Sequence, residues 1–277
     1  MIAPRRILLV EDNHINQIVV EGMLERDGHE VTLAADGTAA VAAVAAADFD
    51  LVLMEMQMPG LDGLAATRAI RALPGSSSGV PIVALTANAS VTDVERCRTA
   101  GMNDHVAKPL DRELLRRAVA IWGAGAASSG ARTATAPAAV APPGGAIEWI
   151  DTPTLGLAAL LEIFDGDHAG VEELVDAALA SIDIDETRIA ASAAASDRET
   201  LISASHRLKG TSGSIRSANV LAISSAIERA AKDGAPRVEP GLLLDLHNAI
   251  AELHAEVATG RSAADPSGKA GLTGAAG

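Results

Sequence analysis

The sequence has almost no aromatic side chains, because its 277 residues include no Tyr, two Phe and two Trp. Stacking platforms for single-stranded nucleic acid depend on such rings and are therefore not expected. Positive charge is also scarce, since 36 Asp and Glu outnumber 22 Lys and Arg and leave a formal net charge of -14. Such a chain repels phosphate backbones, so nucleic acid is not expected to be a direct partner.

Cysteines and long apolar runs are missing as well. Cys97 is the only cysteine in the sequence, which excludes an intramolecular disulfide and a cysteine-based metal site and fits a reducing compartment. The first residues lack the pattern of a secretory signal. The longest run of small apolar residues, 39–47, is far shorter than the roughly 20 residues that span a bilayer. We therefore expect a cytoplasmic protein without membrane insertion.

The composition divides the chain into two domains. Residues 123–146 contain almost no large apolar side chain and cannot offset the entropy cost of ordering, so residues 123–150 are predicted to form a flexible linker. The last stretch, residues 259–277, has the same character and is predicted to be a disordered tail. These segments leave residues 1–122 and 151–258 as the two domains, each long enough to bury a core of its own.

Before the linker, short aliphatic runs alternate with amphipathic stretches. The runs predict strands at residues 7–10, 31–34, 51–54, 82–85 and 105–107, and the stretches predict helices at residues 15–27, 37–46, 63–72, 91–100 and 111–122. Strands that alternate with helices form a parallel sheet covered on both faces. The sequence therefore predicts an α/β, flavodoxin-like, doubly wound (βα)5 domain.

After the linker only helical periods remain. They predict helices at about residues 154–164, 168–192, 198–212, 218–232 and 240–257, separated by turn-forming residues. The expected structure is an all-α four-helix bundle with a short helix leading into it.

Charged and hydroxyl side chains follow the predicted strands of the first domain. Glu11 and Asp12 follow the first strand and Glu55 the third, while Thr86 ends the fourth strand and Lys108 follows the fifth. These positions share the carboxyl edge of a doubly wound sheet, where ligands bind. Clustered carboxylates suit Mg²⁺, and the nearby cation and hydroxyl suit a phosphoryl group.

Four segments of the first domain carry a family resemblance. They resemble, in order and spacing, the motifs of response-regulator receiver domains, especially those of hybrid histidine kinases: LLVEDNHINQ, DLVLMEMQMPGLDG, PIVALTANA and GMNDHVAKPL. The resemblance implies a Mg²⁺ site made by Glu11, Asp12, the side chain of Glu55 and the backbone of Gln57. It also implies switch residues at Thr86 and Lys108, and His105 takes the place of the usual aromatic switch residue.

The resemblance also implies a phosphoaccepting aspartate after the third strand, and here that position is Glu55. The extra methylene displaces the carboxylate, and in-line attack on phosphorus tolerates little misplacement. We therefore predict inefficient phosphorylation. Two hypotheses remain open: an inactive pocket, or a Glu55 carboxylate that reaches Lys108 and imitates part of the phosphorylated state.

The second constellation lies on a predicted helix of the second domain. Lys209 follows His206 by one turn on the same face, where it can neutralise an incoming phosphoryl group. Gly210 leaves an indentation through which another protein could approach the imidazole. The segment HRLKG resembles the HxxKG signature of histidine-phosphotransfer (HPt) domains, which implies that His206 exchanges phosphoryl groups with receiver aspartates. Arg216 falls where small residues are usual, which makes the docking geometry harder to predict.

The histidines His14, His168, His247 and His254 lack such neighbours and are interpreted as ordinary surface or capping residues. The leading hypothesis is a phosphorelay protein whose partners are a histidine kinase or the receiver domains of other response regulators. The alternative is a pseudo-receiver adaptor that binds its partner independently of phosphorylation. An autonomous kinase would need the asparagine and glycine-rich boxes of an ATP-binding domain, and neither half contains them.

Overall fold

The computed structural model describes residues 3–86, 91–108, 110, 112–123, 155–235 and 237–264. Strands and helices alternate through the first part of the chain. Their order is β1 (Arg6–Val10), α1 (His14–Arg26), β2 (Glu30–Ala34), α2 (Gly37–Ala46), β3 (Leu51–Glu55), α3 (Gly63–Arg71), a 3-10 turn (Ser76–Gly79), β4 (Ile82–Thr86), α4 (Val91–Ala100), β5 (Asp104–Ala107) and α5 (Arg112–Trp122).

The five strands form one parallel sheet in the order β2-β1-β3-β4-β5. Val10 lies opposite Ala34 on one side and opposite Met54 on the other, and Thr86 lies opposite Ala107. The strands therefore end together at one edge of the sheet, where the chain reverses its strand order between β1 and β3. This arrangement confirms the predicted flavodoxin-like (βα)5 domain.

The two faces of the sheet bury different sets of helices, because successive side chains of a strand point to opposite faces. Leu8 and Val10 belong to an apolar cluster with residues of α2, α3 and α4. Ile7 and Leu9 belong to a second cluster with residues of α1 and α5, and this cluster continues into the helices that follow the predicted linker. The α1 face is thus the side on which the second domain lies.

The second domain is helical throughout its described residues. Its order is α6 (Leu157–Ile163), α7 (His168–Ala195), α8 (Arg198–Ser214), α9 (Ala218–Lys232) and α10 (Pro240–Ala264). Carboxylates cap two of these helices, since Asp167 accepts a hydrogen bond from the Gly170 amide at 3.0 Å and Asp197 accepts one from the Thr200 amide at 3.1 Å. Helix α8 contacts α7 and α9, and α10 contacts the same two helices. The four long helices close the predicted bundle, with α6 leading into it.

The predicted end of the second domain is too early. Helix α10 continues to Ala264, so residues 259–264 belong to a helix and not to the predicted tail. The Thr259 hydroxyl donates to the carbonyl oxygen of Ala255 at 2.8 Å within this helix. Helix α10 can extend beyond its last buried residue because alanine has a high helix propensity. The rest of the predicted tail, and the predicted linker beyond Gly123, lie outside the described residues.

The two domains contact each other along α1. This helix lies against α7 and α8, and its buried side chains Ile15 and Val19 share one apolar cluster with Ile163 and Phe164 at the end of α6. None of the helices in the described ranges combines the length and the apolar character needed to cross a bilayer.

Candidate functional site

The acidic pocket forms at the carboxyl edge of the sheet, as the strand pattern predicts. Glu11 follows β1 directly and Glu55 ends β3, and both side chains are 1% exposed. Lys108 follows β5, and its amide donates to the carbonyl oxygen of Thr86 at 2.7 Å. The strand ends therefore bring two carboxylates and an ammonium group into one buried cluster, next to the backbone of Thr86.

The Lys108 ammonium bridges the two glutamates. Its Nζ lies 2.6 Å from Oε2 of Glu11 and forms an ion pair with Oε2 of Glu55. Burial alone would lower the pKa of Lys108, but the charges of Glu11 and Glu55 outweigh burial and raise that pKa above its ordinary value. Lys108 is therefore charged and fixed between the two carboxylates.

Both oxygens of Glu55 are engaged. Oε1 accepts hydrogen bonds from the amides of Met56 at 2.7 Å and Gln57 at 3.0 Å, while Oε2 pairs with Lys108. Burial would raise the pKa of Glu55, but Lys108 and His206 outweigh burial and lower it. The carboxylate is thus ionised, with two amides hydrogen-bonded to Oε1 and the ion pair with Lys108 at Oε2.

Glu11 is held in a similar way from the other side of the pocket. Its Oε1 accepts hydrogen bonds from Nδ2 of Asn16 at 2.9 Å and from the amide of Asn13 at 3.3 Å. Burial raises the pKa of Glu11, and burial followed by the charge of Glu55 raises the pKa of Asp12. His206 acts on the pKa of Asp12 in the opposite direction, and both residues line one cavity.

The donor atoms of the pocket are hard oxygens of the kind that Mg²⁺ prefers. In the present arrangement the Lys108 ammonium takes the position of a cation between Glu11 and Glu55. Among the described residues, no group of three or more His, Cys, Asp or Glu side chains is placed to hold a metal ion. The donor chemistry therefore fits Mg²⁺, whereas the ion pairs of Lys108 compete with it.

The side chains of two other predicted residues make their contacts outside the cluster. His105 lies on β5, half-buried, with Nδ1 3.8 Å from Oδ1 of the neighbouring Asp104. Gln57 follows Glu55, and its side-chain Oε1 accepts a hydrogen bond from Nζ of Lys232 at 3.1 Å. Lys232 belongs to α9, so the loop after β3 reaches the second domain.

His206 lies on α8 with one ring nitrogen bound. Its Nδ1 is 2.9 Å from Oε1 of Glu228 on α9, and the side chain is 14% exposed. An ionised carboxylate can only accept a hydrogen bond, so Nδ1 carries a proton, and in the neutral imidazole Nε2 carries the lone pair. No described residue forms a hydrogen bond to Nε2. The arrangement leaves a nucleophilic nitrogen available.

Glu228 also accepts from two lysines. Nζ of Lys209 lies 2.6 Å from Oε2, and Nζ of Lys232 lies 2.7 Å from Oε1. Burial would raise the pKa of Glu228, but His206 and Lys209 hold that pKa well below its ordinary value. Glu228 is not among the residues predicted from the sequence. Its signal was available, because a charged residue stands on the buried stripe of α9, next to Ile227.

The predicted indentation at Gly210 receives α1 of the same chain. A Cβ atom on Gly210 would lie 2.9 Å from Nδ2 of Asn16. Arg216, which departs from the usual pattern, donates from Nη2 to the carbonyl oxygen of Leu110 at 3.1 Å. A cavity of about 520 Å³ remains between the domains, lined by residues of both pockets. Its lining includes Glu11, Asp12, Lys108, His206, Lys209 and Glu228.

Four other histidines lie on the surface, as predicted. His14 is exposed, with Nδ1 3.5 Å from Oε1 of Gln17. His247 and His254 of α10 lie 2.9 Å from Oε1 of Glu186 and 2.8 Å from Oδ1 of Asp183, respectively. His168 begins α7 and is exposed. None of these side chains lines the cavity between the domains.

Two stretches of the chain match known protein families. Residues 7–120 match the response regulator receiver domain, and residues 170–256 match the Hpt domain. The chain therefore belongs to the two-component signalling proteins that join a receiver domain to an Hpt domain. This combination fits phosphorelay signalling.

Named relatives agree with this assignment. The chain is 37% identical to the sensor protein GacS of Pseudomonas syringae pv. syringae over 91% of its own length and 27% of that protein. It is 50% identical, with a TM-score of 0.41, to the receiver domain of the sensor histidine kinase PA1611 from Pseudomonas aeruginosa PAO1. That structure has a magnesium ion in its active site cleft, and the match covers 44% of this chain and 98% of that chain.

A third similarity is to a complex. The chain is 31% identical, with a TM-score of 0.42, to a chain in the Saccharomyces cerevisiae complex of the histidine phosphotransfer protein Ypd1 with the receiver domain of its downstream response regulator Ssk1. The match covers 44% of this chain and 91% of that chain. By contrast, this chain spans only about a quarter of the length of the curated relative GacS.

Proposed function

We propose that the protein is a phosphorelay intermediate in which His206 accepts and donates phosphoryl groups. The observation that carries this proposal is the hydrogen bond between Nδ1 of His206 and Glu228 at 2.9 Å, on a helix face that already fits a receiver domain. This bond leaves the lone pair of Nε2 for the phosphorus atom. The donors and acceptors of the phosphoryl group are aspartates of partner receiver domains.

The transfer step balances without an added reagent. The Nε2 lone pair of His206 attacks the phosphorus of an aspartyl phosphate; the P–N bond forms as the P–O bond breaks, and its electron pair returns to the aspartate carboxylate. The imidazole keeps its proton on Nδ1 and gains positive charge, which the adjacent Glu228 carboxylate stabilises. Return transfer to another aspartate follows the same path in reverse.

Lys209 and Gly210 assist this step in different ways. Lys209 lies one turn beyond His206, and its ammonium, 17% exposed, can turn from Glu228 towards the incoming phosphoryl oxygens. Gly210 has no side chain to obstruct a receiver helix, and the close approach of Asn16 shows how little space a helix leaves there. His206 is the nucleophile in this scheme, and the two neighbouring residues set the charge and the shape of its surroundings.

The receiver domain of this chain is assigned a regulatory or docking role. Glu55 stands at the acceptor position that the family motif predicts, and its carboxylate is occupied by two amides and by Lys108. A carboxylate so engaged is a poor nucleophile. Histidine kinases and the receiver domains of other response regulators are the proposed partners.

Mg²⁺ belongs to this proposal as a ligand of the receiver pocket. Glu11, Asp12 and the backbone of Gln57 would hold it, together with Glu55, and the ion would supply charge neutralisation to a phosphoryl oxygen. Because Lys108 already pairs with both Glu11 and Glu55, the ion would have to compete with the ammonium. We therefore expect weak Mg²⁺ binding to the wild-type chain.

Transfer from radiolabelled phospho-receivers tests the main proposal. The full chain should take up label that is acid-labile and alkali-stable, as a phosphoramidate is, and His206→Ala should take up none. His247→Ala, which changes an exposed histidine on α10, is the matched control and should be labelled like the wild type. Labelling of His206→Ala at the wild-type rate would assign the acceptor elsewhere, and an unlabelled wild type with every donor tried would support the adaptor hypothesis.

A further inference from the structure

The face of α8 that carries His206 is already in contact with a receiver domain, namely the one on the same chain. Nδ2 of Asn13 donates to the carbonyl oxygen of Arg207 at 3.1 Å and to Oγ1 of Thr211 at 2.8 Å. The Ser214 hydroxyl donates to Oδ1 of Asn16 at 2.7 Å. Polar groups that are buried with partners of this quality specify one geometry of contact.

Apolar and charged groups extend this contact along α1. Val19 and Met23, both buried, share one cluster with Phe164, and the guanidinium of Arg26 lies 4.7 Å from the centre of the Phe164 ring. At the far end, Nη1 of Arg112 lies 3.3 Å from Oδ1 of Asp165. The contact therefore runs from the phosphoryl-transfer residues to the start of the helical domain.

The docked receiver domain cannot supply a phosphoryl group in this arrangement. Its acceptor position holds Glu55, whose oxygens bind two backbone amides and Lys108. Asp12, Lys108 and His206 nevertheless line the same cavity, as they would in a complex between a donor and an acceptor. The domain thus occupies the binding site of a phosphoryl donor without being one.

From these contacts we propose that the receiver domain covers the His206 face in cis, so that a phosphorylated receiver from another protein reaches His206 only after this domain has moved away. The proposal rests on the proposed function and adds regulation of the same site. Both domains lie on one chain, and a flexible linker, as the composition of residues 123–150 predicts, gives an effective concentration on the order of millimolar. An external receiver then binds only the uncovered fraction of the protein.

Asn13 allows the cover to be weakened without touching the second domain. Its Oδ1 caps α1 by accepting from the amides of Ile15 and Asn16, whereas its Nδ2 makes the contacts with α8. Asn13→Asp keeps the capping oxygen. It replaces the donating amide with a second carboxylate oxygen, which cannot donate a hydrogen bond to the carbonyl oxygen of Arg207. His14→Asp adds a negative charge at the next, exposed position and is the matched control.

Initial rates of transfer from a phospho-receiver, at donor concentrations below saturation, test the proposal in the full chain. Asn13→Asp should be labelled about tenfold faster than the wild type, because it loses interdomain hydrogen bonds and gains a repulsive contact. His14→Asp should match the wild type. Equal rates in all three chains would overturn the covering role and leave the phosphorelay function standing, whereas the absence of label on His206 in every chain would refute the function itself.

Small-angle scattering provides a readout that is independent of transfer. The wild type should be compact, and Asn13→Asp should have a larger radius of gyration. Gly210→Leu, used for scattering only, would direct a side chain into Asn16 and should separate the domains in the same way. A wild-type chain with separated domains, or two variants as compact as the wild type, would overturn the docked geometry.

Discussion

Two buried glutamates of this protein, Glu55 and Glu228, form the same kind of ion pair at sites with different proposed roles. Each carboxylate is at most 5% exposed and pairs with a lysine, Lys108 in the receiver domain and Lys209 in the Hpt domain. In each case neighbouring positive charge outweighs burial and lowers the pKa of the carboxyl group. The two sites therefore share their electrostatics and differ in what the carboxylate is placed to do.

The two carboxylates differ in the groups that they contact besides the paired lysine. Glu228 accepts a hydrogen bond from Nδ1 of His206, which is the proposed nucleophile. Glu55 stands where the family motif predicts the phosphoacceptor, and its carboxylate accepts from the amides of Met56 and Gln57 and forms an ion pair with Lys108. On the proposed function, we expect ion pairing to favour transfer where the carboxylate supports the attacking nitrogen and to hinder it where the carboxylate itself is the acceptor.

The largest expected effect removes this difference. In Glu55→Asp the carboxylate is one methylene shorter, so it is expected to release part of its contact with Lys108 and to regain the acceptor position of the family. The full-length variant should take up one phosphoryl group from acetyl phosphate with Mg²⁺, at residue 55, whereas the wild type should take up almost none there. Peptide mass spectrometry after the same exposure measures both.

Chelation of Mg²⁺ is the control for this experiment, since it should abolish uptake by Glu55→Asp. Stable phosphorylation of wild-type Glu55 would contradict the silenced acceptor. If neither protein is modified, more of the pocket than the acceptor has lost its function, and the Lys108 bridge to Glu11 becomes the next position to change.

A smaller effect is expected at Lys209, on the active side of the comparison. Lys209→Ala removes a cation that can meet the phosphoryl group, and the loss of one charge-assisted contact costs about 1.5 to 3 kcal/mol. Transfer to His206 should slow by roughly ten- to a hundredfold while a labelled product remains detectable. Single-turnover transfer from a phospho-receiver gives this rate.

Two variants sharpen this measurement. Lys209→Arg keeps the charge and should recover part of the rate. Lys232→Ala also removes a cation from Glu228, but from a side chain that is 39% exposed, and should have the smaller effect. An unchanged transfer rate in Lys209→Ala would confine the role of Lys209 to its ion pair with Glu228.

Much of the fold could be predicted because local patterns decide it. The strands of the receiver domain were predicted to within a residue at each end, since buried parallel strands are continuous aliphatic runs with turn residues between them. Glu11, Glu55 and Lys108 came together because strand ends of a parallel sheet share an edge. In the same way, the spacing of His206 and Lys209 placed both on one face of α8.

The contacts that join separate elements could not be predicted in this way. Glu228 follows His206 by 22 residues on another helix, and only the packing of α8 against α9 brings them together. The docking of Asn13 on Arg207 and Thr211 depends on the relative placement of two domains, which no local period encodes. The engagement of both Glu55 oxygens likewise follows from the turn after β3 rather than from the residue type alone.

The smallest effect concerns the pH dependence of stability at Glu228. Its folded-state pKa lies below the ordinary value of 4.5, so the ionised carboxylate stabilises the native state fully above pH 4.5 and progressively less as the pH falls below it. Glu228→Gln keeps an acceptor for Nδ1 of His206 but loses the charge that faces Lys209. It should lower the free energy of unfolding by about 1 to 3 kcal/mol near neutral pH. Denaturant titrations between about pH 7 and about pH 3 should show that the difference in free energy of unfolding between wild type and variant narrows on the acidic side.

Glu113→Gln, which removes an exposed ion pair with Arg117, is the control and should shift the free energy of unfolding by less than about 1 kcal/mol over the same range. A gap that stays constant down to the acidic limit would mean that Glu228 contributes through packing, and the electrostatic likeness between the two glutamates would then fail.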